Sequence, residues 1–228
     1  MKTMLSRVSA VAAALVLAVG LAVQTAQAAP PLGAALQAEL DRAVLDYESG
    51  RLDAARVALE SLAARGVPAA QYNLAVMQLR GEVTRPDRQL ALRLLTSAAE
   101  GGFVTAQFML AQALENGEFG KRDLVLAHRW YEVAALSGSV DAQVAMGTAH
   151  YLGRGASKDA ALAARWYREA ANGGDVGAQY LLASMYEQGD GVAQDLRLAR
   201  YWYDIAARNG DEAAPGKLRE VEAKLRAS

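Results

Sequence analysis

Apolar residues fall along this chain in paired helical stripes. Between Asp195 and Gly210, residues Leu198, Ala199, Trp202, Tyr203 and Ala206 occupy positions i, i+1, i+4, i+5 and i+8, one continuous face of an α-helix. Asp195 stands where an N-cap or first-turn carboxylate satisfies free backbone N–H groups, and Gly210 where a left-handed C-terminal residue is wanted. The stripe before it, from Ala178 to Gln188, ends likewise at Gly189. No segment shows the sustained alternation of a strand.

This paired pattern returns every 36 residues, as Ala70-Gln71, Ala106-Gln107, Ala142-Gln143 and Ala178-Gln179 show. Leu90, Leu126, Leu162 and Leu198 keep the same step, and so do Ala91, Ala127, Ala163 and Ala199. Asp87, Asp123, Asp159 and Asp195 match, as do the Ala-Ala pairs beginning at 98, 134, 170 and 206. Gly102, Gly138, Gly174 and Gly210 close the units, while Gly81, Gly117, Gly153 and Gly189 divide each in half. Two helices per unit follow. Self-similarity at this length marks an array whose units cannot bury their apolar faces alone and must stack on their neighbours. The predicted fold class is all-α, an α-solenoid of stacked antiparallel helix hairpins.

Ala-Gln, the glycine-rich loop and the Trp-Tyr-x-x-Ala-Ala second helix together resemble the Sel-one-like repeat family, a branch of the tetratricopeptide-like solenoids. Residues 142–175 and 178–211 carry the resemblance most fully, and it covers about 70–211. It implies a right-handed superhelical twist, and it is specific for fold but hardly at all for activity. Four Sel-type repeats are expected at 70-105, 106-141, 142-177 and 178-211. Upstream, over 29-69, residues Ala43, Tyr47, Gly50, Ala55, Leu59 and Leu62 resemble an ordinary tetratricopeptide unit. From Ala43 to Ala55 is 12 residues, against 16 from Ala75 to Ala91, so the first unit lacks a four-residue loop extension. Residues 212-228 read as a C-terminal capping helix.

The first 28 residues change the picture of where the protein works. Lys2 and Arg7 precede an apolar run from Val8 to Val23, and Ala26-Gln27-Ala28 follows, so residues 1-28 read as a signal peptide for the general secretory pathway. The expected location is periplasmic or secreted, with no stable membrane anchor after cleavage. Cleavage removes two of the 24 basic side chains and none of the 25 acidic ones, which leaves 22 against 25. That balance gives no attraction to nucleic acid or anionic lipid. The chain has no cysteine, so packing alone must hold it together.

Residues that suggest chemistry have plainer readings. Trp130, Trp166 and Trp202 lie on the recurrent apolar stripe, where Leu94 and Leu95 replace the Trp-Tyr pair in the first Sel-type unit, and are expected in the interrepeat core. Gly153-x-Gly155 and Gly189-x-Gly191 lack the strand that a phosphate loop requires, so they read as hinges within the hairpin. The two histidines, His128 and His150, have no partner histidine at ligand spacing, which argues against a zinc site. Cysteine-rich relatives of the repeat family are associated with penicillin binding and β-lactam hydrolysis. Their paired cysteines are absent here, and no serine is followed three residues later by lysine. No catalytic residue, metal or cofactor is predicted.

The face of the first helices that points away from the stripe lines the concave groove in tetratricopeptide-like solenoids. It carries Tyr72, Val76, Leu79 and Arg80, then Phe108, Gln112, Glu115 and Asn116. In the next units it carries Val144, Thr148, Tyr151 and Leu152, then Tyr180, Ser184, Glu187 and Gln188. Few of these are ionised, and an apolar concentration of this kind marks a recognition surface. The packing alternative places Tyr72, Phe108 and Tyr180 against the adjacent repeat. On the groove reading, Tyr72→Ala with Tyr180→Ala abolishes partner capture and leaves melting unchanged. The expected function is a non-enzymatic scaffold, assembly factor or regulator that binds an envelope protein. The alternative is a module whose Tyr72, Phe108, Tyr151 and Tyr180 stack on the rings of peptidoglycan or an exopolysaccharide. A cell-wall or β-lactam hydrolase ranks far below both.

Overall fold

The computed structural model describes residues 33–227, so the expected signal peptide lies outside the described residues. Within them run eleven helices and no strand. In chain order they are α1 (Ala34–Glu48), α2 (Leu52–Ala64), α3 (Pro68–Arg80), α4 (Arg88–Glu100), α5 (Val104–Asn116) and α6 (Leu124–Leu136). They continue with α7 (Val140–Leu152), α8 (Ala160–Asn172), α9 (Val176–Gln188), α10 (Leu196–Arg208) and α11 (Ala214–Ala227). Each packs chiefly on the helices before and after it, as stacked hairpins require.

The period has a simple origin. From α3 to α10 every helix has 13 residues, and seven-residue and three-residue connections alternate between them, which together make 36. The hairpin formed by α1 and α2 is joined by residues 49–51, three residues where the later hairpins have seven. Each opening helix of the 36-residue units begins two residues before its Ala-Gln pair.

The sequence signals set these boundaries. The carboxylate of Asp87 accepts from the N–H groups of Gln89 and Leu90, and that of Asp195 from Arg197 and Leu198. Asp123 and Asp159 each accept from the N–H three residues on. Such a cap contributes about 1 kcal/mol. At the other end of the opening helices Gly81, Gly117, Gly153 and Gly189 adopt φ between 71 and 73°, the left-handed region that halts a helix and favours glycine. Gly191, read from sequence as a hinge, has a second reason to lack a side chain. A Cβ there would lie 2.2 Å from the Ala160 carbonyl oxygen, because the long loop of one unit rests on the start of the previous unit's second helix.

The recurring Ala-Gln pair does two jobs. Ala70, Ala106, Ala142 and Ala178 are wholly buried where helices cross closely. The adjacent Gln71, Gln107, Gln143 and Gln179 donate through Nε2 to the carbonyls of Ala63, Ala99, Ala135 and Ala171 at 3.1–3.3 Å. Those carbonyls lie in the last turn of the preceding helix and also accept from the N–H groups of Gly66, Gly102, Gly138 and Gly174. The glutamine therefore fastens each opening helix to the end of the helix before it.

The tryptophans are placed differently from the expectation. Trp130, Trp166 and Trp202 pack on the core but are only half-buried, whereas Tyr131, Tyr167 and Tyr203 beside them are buried. One residue is about 100° around a helix, enough to move the larger ring to the edge and the tyrosine to the centre.

Candidate functional site

The predicted groove residues divide into an inward set and a paired polar set. Tyr72 and Val76 are each only 6% exposed, in a cluster with Ala75, Leu95, Ala98 and Leu110. The Tyr72 ring lies 5.1 Å from that of Phe103, and burial pushes its hydroxyl above the usual phenol range. Phe108 packs its ring 5.7 Å from Tyr131, and Tyr180 meets Tyr203 at 5.3 Å. The expectation that Tyr72 and Val76 face a partner is thus corrected. The second helix of the same hairpin and the start of the next one close over the face that an isolated helix would leave bare.

The paired set follows a rule across units. Glu115 and Tyr131 stand 16 residues apart, as do Glu187 and Tyr203, and in both pairs the hydroxyl donates to the carboxylate, at 2.7 and 2.9 Å. The same columns hold Leu79 with Leu95 and Tyr151 with Tyr167. Where Tyr151 replaces the acid, Tyr167 turns to Thr148 Oγ1 at 3.1 Å, and Tyr151 itself donates to Asp190 at 2.9 Å. Burial and the adjacent carboxylate both push the hydroxyls of Tyr131 and Tyr203 upward. The spacing of 16 was visible in the sequence; its meaning required the pairing of the two helices.

Glu115 also pairs with Arg154 at 2.9 Å, and Arg80 donates to the Tyr47 hydroxyl at 2.7 Å, which in turn donates to Glu82. Glu187 is 6% exposed and is a second correction, because α11 covers it. It accepts from Lys224 at 2.6 Å, with Lys217 at 3.9 Å. Burial opposes its ionisation, but the Lys224 and Tyr203 donors and the Lys217 charge outweigh that and hold its carboxyl below the ordinary value. Ser184 accepts from Gln188 at 3.0 Å, and Gln112 is half-buried. Of the predicted set, Tyr151 stays on the surface, at 36% exposure, together with Leu152 and Gln188.

The histidines are neighbours. His128 on α6 and His150 on α7 bring their Nε2 atoms to 3.4 Å, with His150 Nδ1 3.3 Å from the Ser157 carbonyl. Nothing local in the sequence marks this approach, because a step of 22 residues crosses from one unit to the next. Burial, then the facing His150, lower the His128 pKa, against a smaller opposing effect of Glu132. Among the described residues no group of three or more His, Cys, Asp or Glu side chains is arranged to hold a metal. No described helix is long and apolar enough to cross a membrane.

A cleft of about 1060 Å³ opens in the middle of the stack. The amino-terminal turns of α5 and α7, the end of α6 and one side of α8 form its walls. Phe108 and Trp166 supply aromatic surface, Leu136 is 62% exposed at its edge, and Asp141, Arg165 and Glu169 add charges of both signs. Glu115, Tyr131, Thr148 and Arg154 line a separate cavity of about 170 Å³ beside His128. The rings proposed for glycan stacking do not form one platform, since Phe108 lines the cleft while Tyr72 is interior and Tyr180 is packed on Tyr203.

Comparison with known proteins agrees with this architecture. The Sel1 repeat matches four times, at residues 68–103, 104–139, 140–175 and 176–211. The crystal structure of c5321, a protective antigen present in uropathogenic Escherichia coli strains that displays an SLR fold, is 31% identical with a TM-score of 0.77. The match covers 83% of this chain and 42% of that one, so this chain spans less than half the length of that relative. A Sel1 repeat protein from Oxalobacter formigenes is also 31% identical, with a TM-score of 0.74 over 78% of this chain and 74% of its own. No curated protein matches the sequence. Sel1 repeats generally act as protein–protein interaction scaffolds and are typically not catalytic. With four matched repeats over more than half its length, and helix boundaries that coincide with them, the chain belongs to the Sel1 repeat family.

Proposed function

We propose that the protein is a non-enzymatic scaffold of the bacterial envelope that holds a protein partner in the cleft between α5 and α8. The cleft itself carries this reading. It has the volume of a site that encloses several side chains, an aromatic floor of Phe108 and Trp166, and an exposed apolar rim at Leu136. Aromatic anchors surrounded by mixed charge are the composition of an interface centre. Assembly or regulation of an envelope system fits an exported interaction module, and export rests on the amino-terminal sequence.

Photocrosslinking in cells tests the proposal. A crosslinking side chain placed at Leu136 or Arg165 should yield one discrete protein adduct, and the same group at the exposed Val57 on α2 should not. Equal adducts from all three positions, or capture only by peptidoglycan, would overturn the assignment. Fractionation of the envelope should recover the protein with periplasmic contents; retention in the cytoplasm would contradict the reading of residues 1–28.

A further inference from the structure

We propose that two copies of this chain pair through the outer face of α6, antiparallel, about a two-fold axis that passes between residues 130 and 131. The pairing goes beyond the cleft reading, since the seam shares only Leu136 with the cleft lining. The first support is the helix itself. Its inner face is buried through Ala127, Tyr131, Ala134 and Ala135, yet its outer face carries exposed Val125, Leu126, Val133 and Leu136. A helix that is apolar all round is one that is covered on both sides. At 100° per residue these four, with Arg129 and Glu132, fall within an arc of about 120°.

The second support is self-complementarity. Residues 125, 129, 132 and 136 are spaced by four, three and four, the alternation of a coiled-coil seam. Across an antiparallel two-fold, residues whose numbers share one sum face each other. The pairs 125 with 136 and 129 with 132 both sum to 261, so a single register forms every layer. Val125 then meets the partner's Leu136 at each end, and Arg129 meets the partner's Glu132 in the middle, while Leu126 and Val133 flank the seam. Both charged side chains are exposed, and among the described residues neither has a hydrogen bond or ion pair. Opposite charges between apolar layers fix register and partner. A parallel pair would instead set Arg129 on the partner's Arg129, which repels.

The third support is the contrast with the second helices of the other Sel1 repeats. Paired in the same way, α8 would set Arg165 against the partner's Arg168, and α10 would set Arg197 against the partner's Arg208. In α4 the end layers hold Gln89 and Glu100, which are polar. Among these four helices α6 alone combines apolar ends with opposite charges at the centre. One pair of 13-residue helices is small against the roughly 1,200–2,000 Å² of a stable interface, so the dimer is weak and depends on concentration.

Sedimentation of the purified protein alone tests the pairing. Native chains should pass from monomer to dimer across the micromolar range. Arg129→Glu and Glu132→Arg, each alone, set like charges across the seam and should each weaken dimerisation about tenfold or more. Mixing these two variants sets opposite charges in both central layers again and should restore dimers as mixed pairs, a rescue that a folding defect would not allow. The chain has no cysteine, so a Val125→Cys chain mixed with a Leu136→Cys chain can be trapped by mild oxidation. The mixed disulfide should dominate, because like positions lie about 16 Å apart along the axis in this register, beyond disulfide reach. A chain that stays monomeric through the micromolar range, single charge variants that dimerise as the native chain does, or like-position disulfides as abundant as mixed ones would overturn the proposal. None of these outcomes bears on the cleft, whose own readout is the crosslink from Arg165.

Discussion

The lock between Glu187 and α11 offers a sharp test of how the stack ends. Glu187 is buried on α9, yet Lys224, a residue of α11, reaches it at 2.6 Å while the Tyr203 hydroxyl holds its other oxygen at 2.9 Å. A hydrogen bond to a charged group contributes about 1.5–3 kcal/mol when buried, and an exposed pair about 0.2–1 kcal/mol. The Lys224 side chain is 53% exposed, so the coupling between the two residues should fall between these, at about 1 kcal/mol. The assay is a double-mutant cycle of Glu187→Gln and Lys224→Met, followed by chemical unfolding and by hydrogen exchange of the 214–227 amides. In a solenoid each unit contacts only its neighbours, so the loss should appear first in α11. Near neutrality Glu187→Gln should destabilise by about 1–2 kcal/mol. The folded-state pKa of Glu187 is depressed below 4.5, so its contribution is fully present above 4.5 and is lost as pH falls through the depressed value. Native and Glu187→Gln proteins should therefore converge in stability in acid. A coupling under about 0.3 kcal/mol, or a stability gap that persists in acid, would refute the lock.

Three further outcomes follow from the packing. Tyr72→Ala should cost about 3–5 kcal/mol in unfolding experiments, as the loss of a buried ring does; a stability within about 0.5 kcal/mol of native would return Tyr72 to the groove. Gly147→Ala should cost about 1–3 kcal/mol, because the new Cβ would lie 2.7 Å from the Tyr167 ring; an unchanged melting temperature would show that α7 and α8 are not so close. Gln143→Ala should lose about 1 kcal/mol and speed hydrogen exchange at the α6–α7 junction, and unaltered exchange there would mean that its bond to Ala135 is not a fastening.

Much of the architecture was legible in the residues themselves. Helix length, the aspartate caps and the left-handed glycines are decided within a few residues of chain, so Asp195 and Gly189 announce their roles locally. A fixed period then repeats that local decision, and the stacking of hairpins follows because each unit has apolar surface it cannot bury alone. The candidate site was less legible, because a face that is bare on one helix is covered when the next helix arrives. Tyr72 and Glu187 have the composition of groove residues, and only their neighbours, α4 with Phe103 for one and α11 for the other, put them inside. His128 and His150 stand 22 residues apart with no local signal, and their 3.4 Å approach exists only at the joint between two units. The sequence by itself thus determined what depends on neighbours along the chain: helices, caps, period and family. The tertiary structure alone decided what depends on neighbours across it, because burial, ion pairing and the width of a cleft are properties of two surfaces brought together.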